Sequence, residues 1–157
     1  MVATGTLPSI DEHQVQVDVP PDQLWAALLS TFTGLTTHAG WRVLARALGC
    51  QPDSASGDPD TPETCLPGFR VRRSEPPREW ALEGKHRFSS YALTFRITAL
   101  DGGHCLLSAE SSAAFPGPLG MMYRTLVIGT GGHVLTVHSM LKRIKGKAER
   151  SQPPEAA

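Results

Sequence analysis

Apolar and polar residues alternate from His13 to Val19, placing Val15, Val17 and Val19 on one side, as in a strand that buries one face. Pro20 and Pro21 stop that strand, and Pro21 suits the first turn of a helix. Leu24, Trp25 and Leu28 then recur at helical spacing. A second helix is expected from Thr37 to Leu48, capped by Thr36 or Thr37 and closed at Gly49. Residues 49–67 hold four prolines and four carboxylates without apolar periodicity, which predicts a mobile surface loop.

Strand patterns follow. "GFRVRRSEPP" is one candidate. In "REWALEGKHRF", Trp80, Leu82, Gly84, His86 and Phe88 share a face, and in "SSYALTFRITAL" so do Tyr91, Leu93, Phe95 and Ile97. Asp101-Gly102-Gly103 signals a hairpin, and "HCLLSAESSAAF" makes the last strand. From Leu119 to about Glu149 the period becomes helical. Leu119, Met122, Leu126, Gly129, His133, Val137, Met140 and Ile144 form one stripe. Ile128, Leu135 and Arg124 fall on the opposite side, the two apolar residues to pack under loop 49–67 or to meet a second copy.

The stretch "TLVIGTGGHVL" admits two readings. A phosphate loop would need GxGxxG, a further strand and an acidic residue about 20 positions on, or a GK[ST] ending. Here the glycines are spaced GxGG, and only a basic helical end and a short tail follow. The helical reading is therefore preferred. Its three interior glycines cost roughly 3 kcal/mol relative to alanine, which implies close packing or space kept free beside the helix.

Length and composition bound the rest. A chain of 157 residues makes one domain, and 15 basic against 15 acidic residues leave no net field to favour nucleic acid. The basic cluster "LKRIKGKAER" matches the C-terminal end of a helix. Cys50, Cys65 and Cys105 are odd in number and lack metal spacing, so they read as free thiols of a reducing compartment, without zinc. The opening "MVATGTLPSIDEH" lacks a basic segment followed by an apolar one, so no secretion signal is expected, and the sequence holds no run of about 18 apolar residues. A cytoplasmic protein without integral membrane association, monomeric or homodimeric, is expected. No internal repeat is found. A flexible segment 1–10, a domain 11–150 and a disordered tail 151–157 complete the expected organisation.

The order strand, two short helices, antiparallel strands, long helix resembles the α+β helix-grip fold. "VDVPPDQLWAALL" is similar to the opening of START-like and polyketide-cyclase-like proteins (the SRPBCC superfamily), relatives of the birch-pollen-allergen family. "PPREWALEGKHRFSSYALTFRI" and "GGHCLLSAESSAAFPG" are similar in style, so the resemblance spans residues 10–150. It departs from the usual pattern after the first helix, where a helix and the Asp/Pro-rich loop stand in place of one or two strands. The resemblance implies a curved sheet wrapped around the C-terminal helix and a cavity between them for apolar molecules, with cyclase chemistry in some members.

Residues expected to line such a cavity are Trp80, His86, Phe88, Tyr91, Phe95, Met122, Leu126, Gly129 and His133. His86 and His133 would anchor polar groups of a small apolar ligand. In a cyclase or dehydratase they would move protons, with Tyr123 or Glu110 assisting. Glu110 sits either on the solvent face or inward beside His133 or an arginine. His13, His38, His104 and His138 fall at predicted ends or outer faces and are expected to be exposed. No cofactor and no metal is implied, because the histidines and Glu110 belong to separate elements without a local ligand pair. "SAESSA" is not a nucleophile elbow. A third reading is an interaction module whose cavity is vestigial.

Overall fold

The computed structural model describes residues 7–151; the remainder of the two expected flexible ends lies outside the described residues. Strand β1 (Ser9–Val17) leads through Pro20-Pro21 into α1 (Pro21–Thr37) and α2 (Ala39–Leu48). Strands β2 (Cys65–Leu66), β3 (Phe69–Glu75), β4 (Glu79–His86), β5 (Ser89–Ala99) and β6 (Cys105–Ala114) follow, then α3 (Gly117–Val127) and α4 (Gly132–Arg150). The strands form one antiparallel sheet in the order β1-β6-β5-β4-β3-β2, so the first and last strands are neighbours. This is the expected α+β architecture.

The period-2 pattern decides which face is inner. Val17, Val71, Trp80, Leu82, Leu93, Phe95, Ile97 and Leu107 are buried on one side. The other side is charged: Arg96 bridges Glu79 at 3.0 Å and Glu110 at 2.8 Å. Glu110 thus takes the solvent-face alternative, paired across strands with an arginine.

Helix α1 covers the inner face with Leu24, Leu28, Phe32 and Thr36, one residue per turn. Phe32 meets Trp80, Phe95 and Phe69 edge-on, with centroids 5.2, 5.8 and 5.1 Å away. The cap of α2 is His38 and not a threonine: its Nδ1 accepts from the Gly40 N–H at 3.2 Å. Gly49 closes α2 in the left-handed conformation (φ 69°), and the Cys50 N–H returns to the Ala45 carbonyl at 2.8 Å, as expected from the glycine. Loop 49–67 is fastened by Trp80 Nε1 donating to the Pro59 carbonyl at 2.9 Å and by Ser74 Oγ on Asp60 at 2.7 Å.

The C-terminal helical region is two helices where the periodicity predicts one. The break spans 128–131, and Gly131 is left-handed with φ 75°. In α4 the expected stripe holds: Val137, Met140 and Ile144, with Leu141 and Ala148, are buried against α1 and β1. The break resets the phase before it. In α3 the inward residues are Gly120, Tyr123 and Val127, while Leu119, Met122 and Leu126 point to solvent, the last two 66% and 65% exposed.

Candidate functional site

Between α1, α2, the inner face of the sheet and the two C-terminal helices lies an open groove of about 1280 Å³. Phe32 and Leu35 of α1 and Trp41, Leu44 and Leu48 of α2 form one wall. Phe69 and Leu93 form part of the floor, and Val127, Ile128, Leu135, Val137 and Met140 form the opposite wall. A smaller depression of about 400 Å³ sits behind Cys50 and is lined by Arg46, Gly49, Gln51, Pro52 and Asp53, without an aromatic or a histidine.

Polar side chains gather at two ends of the groove. At the first, β4 and β5 carry His86 and Tyr91 while α3 brings Tyr123 over them. The His86 ring lies 5.5 Å from Tyr91 and 4.9 Å from Tyr123. The Phe88 N–H donates to His86 Nδ1 at 3.1 Å. A backbone N–H can only donate, so Nδ1 is the unprotonated nitrogen, and Nε2–H faces Ser89 Oγ at 3.1 Å. Burial lowers the His86 pKa, which favours the same neutral ring.

The Tyr91 hydroxyl donates to the Gly68 carbonyl at 2.6 Å, and its ring crosses β4 directly over Gly84. A Cβ on Gly84 would stand 2.2 Å from the Gly68 oxygen and 2.7 Å from the Tyr91 ring, so glycine is the residue that permits this crossing. Burial pushes the Tyr91, Tyr123 and Cys50 pKa values up. At neutral pH this end is an uncharged set of hydrogen-bonding groups.

At the second end His133 stands in the first turn of α4. Its Nε2 is 3.4 Å from Asp11 Oδ1, and the other carboxylate oxygen of Asp11 is 3.1 Å from His13 Nε2. The His13 ring in turn packs on His138 at 4.5 Å, which half-buries His13 at a position expected to be exposed. His38 and His138 are exposed, and His104 pairs with Asp18 at 2.8 Å. Asp11 is directly opposite Ser111 in the β1–β6 register, and both sit on the inner face. Neither was singled out by the sequence pattern. The alternation of Asp11, His13, Val15 and Val17 carries the signal, but a polar residue at a strand end reads as solvent-facing. Among the described residues no three His, Cys, Asp or Glu side chains are set to hold a metal ion.

Of the residues expected to line the cavity, His86, Tyr91 and His133 are on its wall, together with Tyr123. Trp80 and Phe95 are fully buried in the core beneath, because the α1 aromatic Phe32 covers them. Phe88 lies in the β4–β5 turn, where it stacks on Tyr123 at 5.4 Å behind His86. Met122 and Leu126 are turned outward by the helix break. Gly129 is exposed in that break; a Cβ there would meet the Thr125 carbonyl oxygen at 2.3 Å, so its lack of a side chain serves the backbone and not the cavity. Ile128 and Leu135, expected on the outer side, line the groove instead.

No family model and no curated protein sequence matches this chain. Solved structures do. Norcoclaurine synthase from Thalictrum flavum, in complex with dopamine and hydroxybenzaldehyde, superposes with a TM-score of 0.60 at 13% identity, over 98% of each chain. CalU16 from Micromonospora echinospora gives 0.57 at 15% identity, covering 96% of this chain and 86% of that one. Ara h 8.0201 gives 0.57 at 12% identity over 93% and 100%. No helix among the described residues is long and apolar enough to cross a membrane. At these identities the likeness is one of fold, and the fold of this chain is the helix-grip fold that residues 10–150 resemble.

Proposed function

We propose that the groove binds one small hydrophobic or amphipathic molecule between the sheet and the C-terminal helices. The observation that carries this reading is the unfilled space itself, about 1280 Å³ walled largely by aliphatic and aromatic side chains with histidine and tyrosine at its ends. Ligand sites are usually concave, mostly apolar and furnished with a few convergent polar groups. A vestigial cavity would have been closed by its own large side chains; here Gly34 borders the groove, and a Cβ on it would meet nothing within 4 Å. At the His86 end both ring nitrogens are already engaged, so this ring serves as part of the aromatic wall and neither as a proton carrier nor as a hydrogen-bond anchor.

Native mass spectrometry of the protein, offered a mixture of fatty acids, sterols and polycyclic aromatic polyketides, tests the reading. One equivalent of an apolar compound should be retained. Gly34→Trp, which projects a large ring from α1 into the space, should weaken that uptake about tenfold or more. Failure of the wild-type protein to retain any of these compounds, or equal retention by a natively folded Gly34→Trp variant, would overturn it.

A further inference from the structure

Among the described residues no Asp or Glu lines the groove, although the chain carries 15 of them. The cause is visible in the sequence. No acidic residue occurs between Asp22 and Asp53 or between Glu110 and Glu149, and these two segments supply the helical walls. The groove does carry cations. Arg143, Lys147 and Arg150 line it from the last turns of α4, at the spacing i, i+4, i+7 that places them on one face. Ser139, one turn before Arg143, lines the same face.

Elsewhere the protein pairs its cations. Arg70 meets Glu83 at 2.6 Å, and Arg96 meets Glu79 and Glu110. On α4 itself Lys145 reaches Glu149 at 3.4 Å and donates to the Gln16 carbonyl at 2.8 Å. Among the described residues no carboxylate pairs with Arg143, Lys147 or Arg150. The Arg150 guanidinium folds back along the helix over Gly146, its Nη1 2.9 Å from where a Cβ would stand. The helix dipole favours basic residues in a last turn on any face. It does not account for three on the groove face without a counter-charge, where like charges one turn apart repel.

The groove therefore has a direction. Its His86, Tyr91 and Tyr123 end is uncharged, and its α4 end is positive. A helical rise of about 1.5 Å per residue sets Arg143 about 12 Å and Lys147 about 18 Å beyond Leu135 along α4. One elongated molecule can touch the aliphatic wall and the cations together.

We propose that the groove's occupant is an apolar acid whose carboxylate is held by Arg143 and Lys147, with Ser139 and Arg150 beside them. The proposal rests on the groove reading above and adds the ligand's charge and orientation. The guanidinium fork matches a carboxylate, and an ammonium head would meet only like charge. A phosphate dianion fits less well, because the partial negative charge of the α4 C-terminus acts on both of its charges.

cis-Parinaric acid and its methyl ester, equal in chain and differing in the anionic head, are the probes. Their affinities are read from probe fluorescence on the full chain at about pH 7.5, where the acid is ionised. At low salt the wild-type protein should hold the acid about three- to tenfold more tightly than the ester. That preference should shrink toward equality in about 0.5 M NaCl, because the cations are exposed and screened. Arg143→Gln with Lys147→Gln, which keeps good helix formers, should abolish the preference and leave ester binding unchanged, showing the groove intact. Either single substitution gives the same readout with a smaller loss should the double variant fail to fold. Arg124→Gln with Lys142→Gln removes the same charge outside the groove lining and should keep the preference. Equal binding of acid and ester by the wild-type protein overturns the subsite and leaves the groove reading standing. So does a preference that survives the Arg143 and Lys147 substitutions, or one lost equally in the Arg124 and Lys142 variant. A wild-type protein that takes neither probe overturns the subsite together with the reading on which it rests.

Discussion

His86 shows how one side chain can be fixed by its backbone before any ligand arrives. Its Nδ1 accepts from Phe88 N–H within the same turn, its Nε2–H faces Ser89, and burial favours the neutral ring. Because its folded pKa lies below the ordinary 6.5, the folded chain binds fewer protons here than the unfolded chain. Stability therefore rises with pH in the window running downward from 6.5, and is lost as the pH falls through that window. His86→Asn retains an acceptor for the Phe88 N–H but does not titrate. The drop in Tm between about pH 7.5 and about pH 5.5 should be smaller in His86→Asn than in the wild-type protein. Identical slopes would mean that other groups set the acid limb. The alternation Trp80, Leu82, Gly84, His86 places this ring on the inner face, and that much is legible in the sequence. The hydrogen bond that fixes its tautomer depends on where β4 ends, and strand ends are poorly marked by alternation. Asp11 and Ser111 escape for a related reason. A polar residue on a buried face is unreadable until the partner strand and the covering helix are known.

At the scale of the element, the C-terminal pair shows what periodicity conveys and what it does not. The repeat from Val137 through Ile144 reports the face of α4 that α1 and β1 bury, and it is read correctly. The same repeat continued backward through Met122 and Leu126 is broken at residues 128–131, where Gly131 turns left-handed. Periodicity assumes an unbroken helix, whereas a single positive φ rotates everything before it. Two neighbouring glycines then have opposite roles. Gly131→Ala should destabilise the protein by about 1 kcal/mol, because φ 75° disfavours any Cβ. Gly132→Ala should be neutral or stabilising by a few tenths up to about 1 kcal/mol, since its Cβ would come no closer than 3.6 Å to Thr130 Oγ1 and alanine favours the helix. Urea denaturation of both variants distinguishes them, and equal losses would show that the break is not held by the Gly131 conformation.

At the scale of the whole molecule, the order of elements is enough to name the fold, because β1, the two helices and the antiparallel strands each carry their own local signal. The groove's wall is legible only in part, since it depends on the angle at which α1 and α3 cover the sheet. Trp80 and Phe95 have the right face but lie one layer too deep, beneath Phe32. What the shifted α3 leaves outside is a second consequence of the same geometry. Leu119, Met121, Met122 and Leu126 are all more than half exposed on one short helix. The chain's net charge is zero and its isoelectric point near 7.0, so no charge repulsion keeps copies apart at neutral pH. Contact between apolar helix faces should then be strongest near pH 7 and weaken toward about pH 9, where the net charge departs from zero. Light scattering across that range should show the maximum. Met122→Gln with Leu126→Gln removes apolar surface without adding charge. The double variant should flatten the maximum while stability changes by no more than about 0.5 kcal/mol per site, as for exposed positions generally. A maximum that persists in the double variant would place the contact on another face, with Val43 and Leu44 of α2 the next exposed apolar pair to substitute.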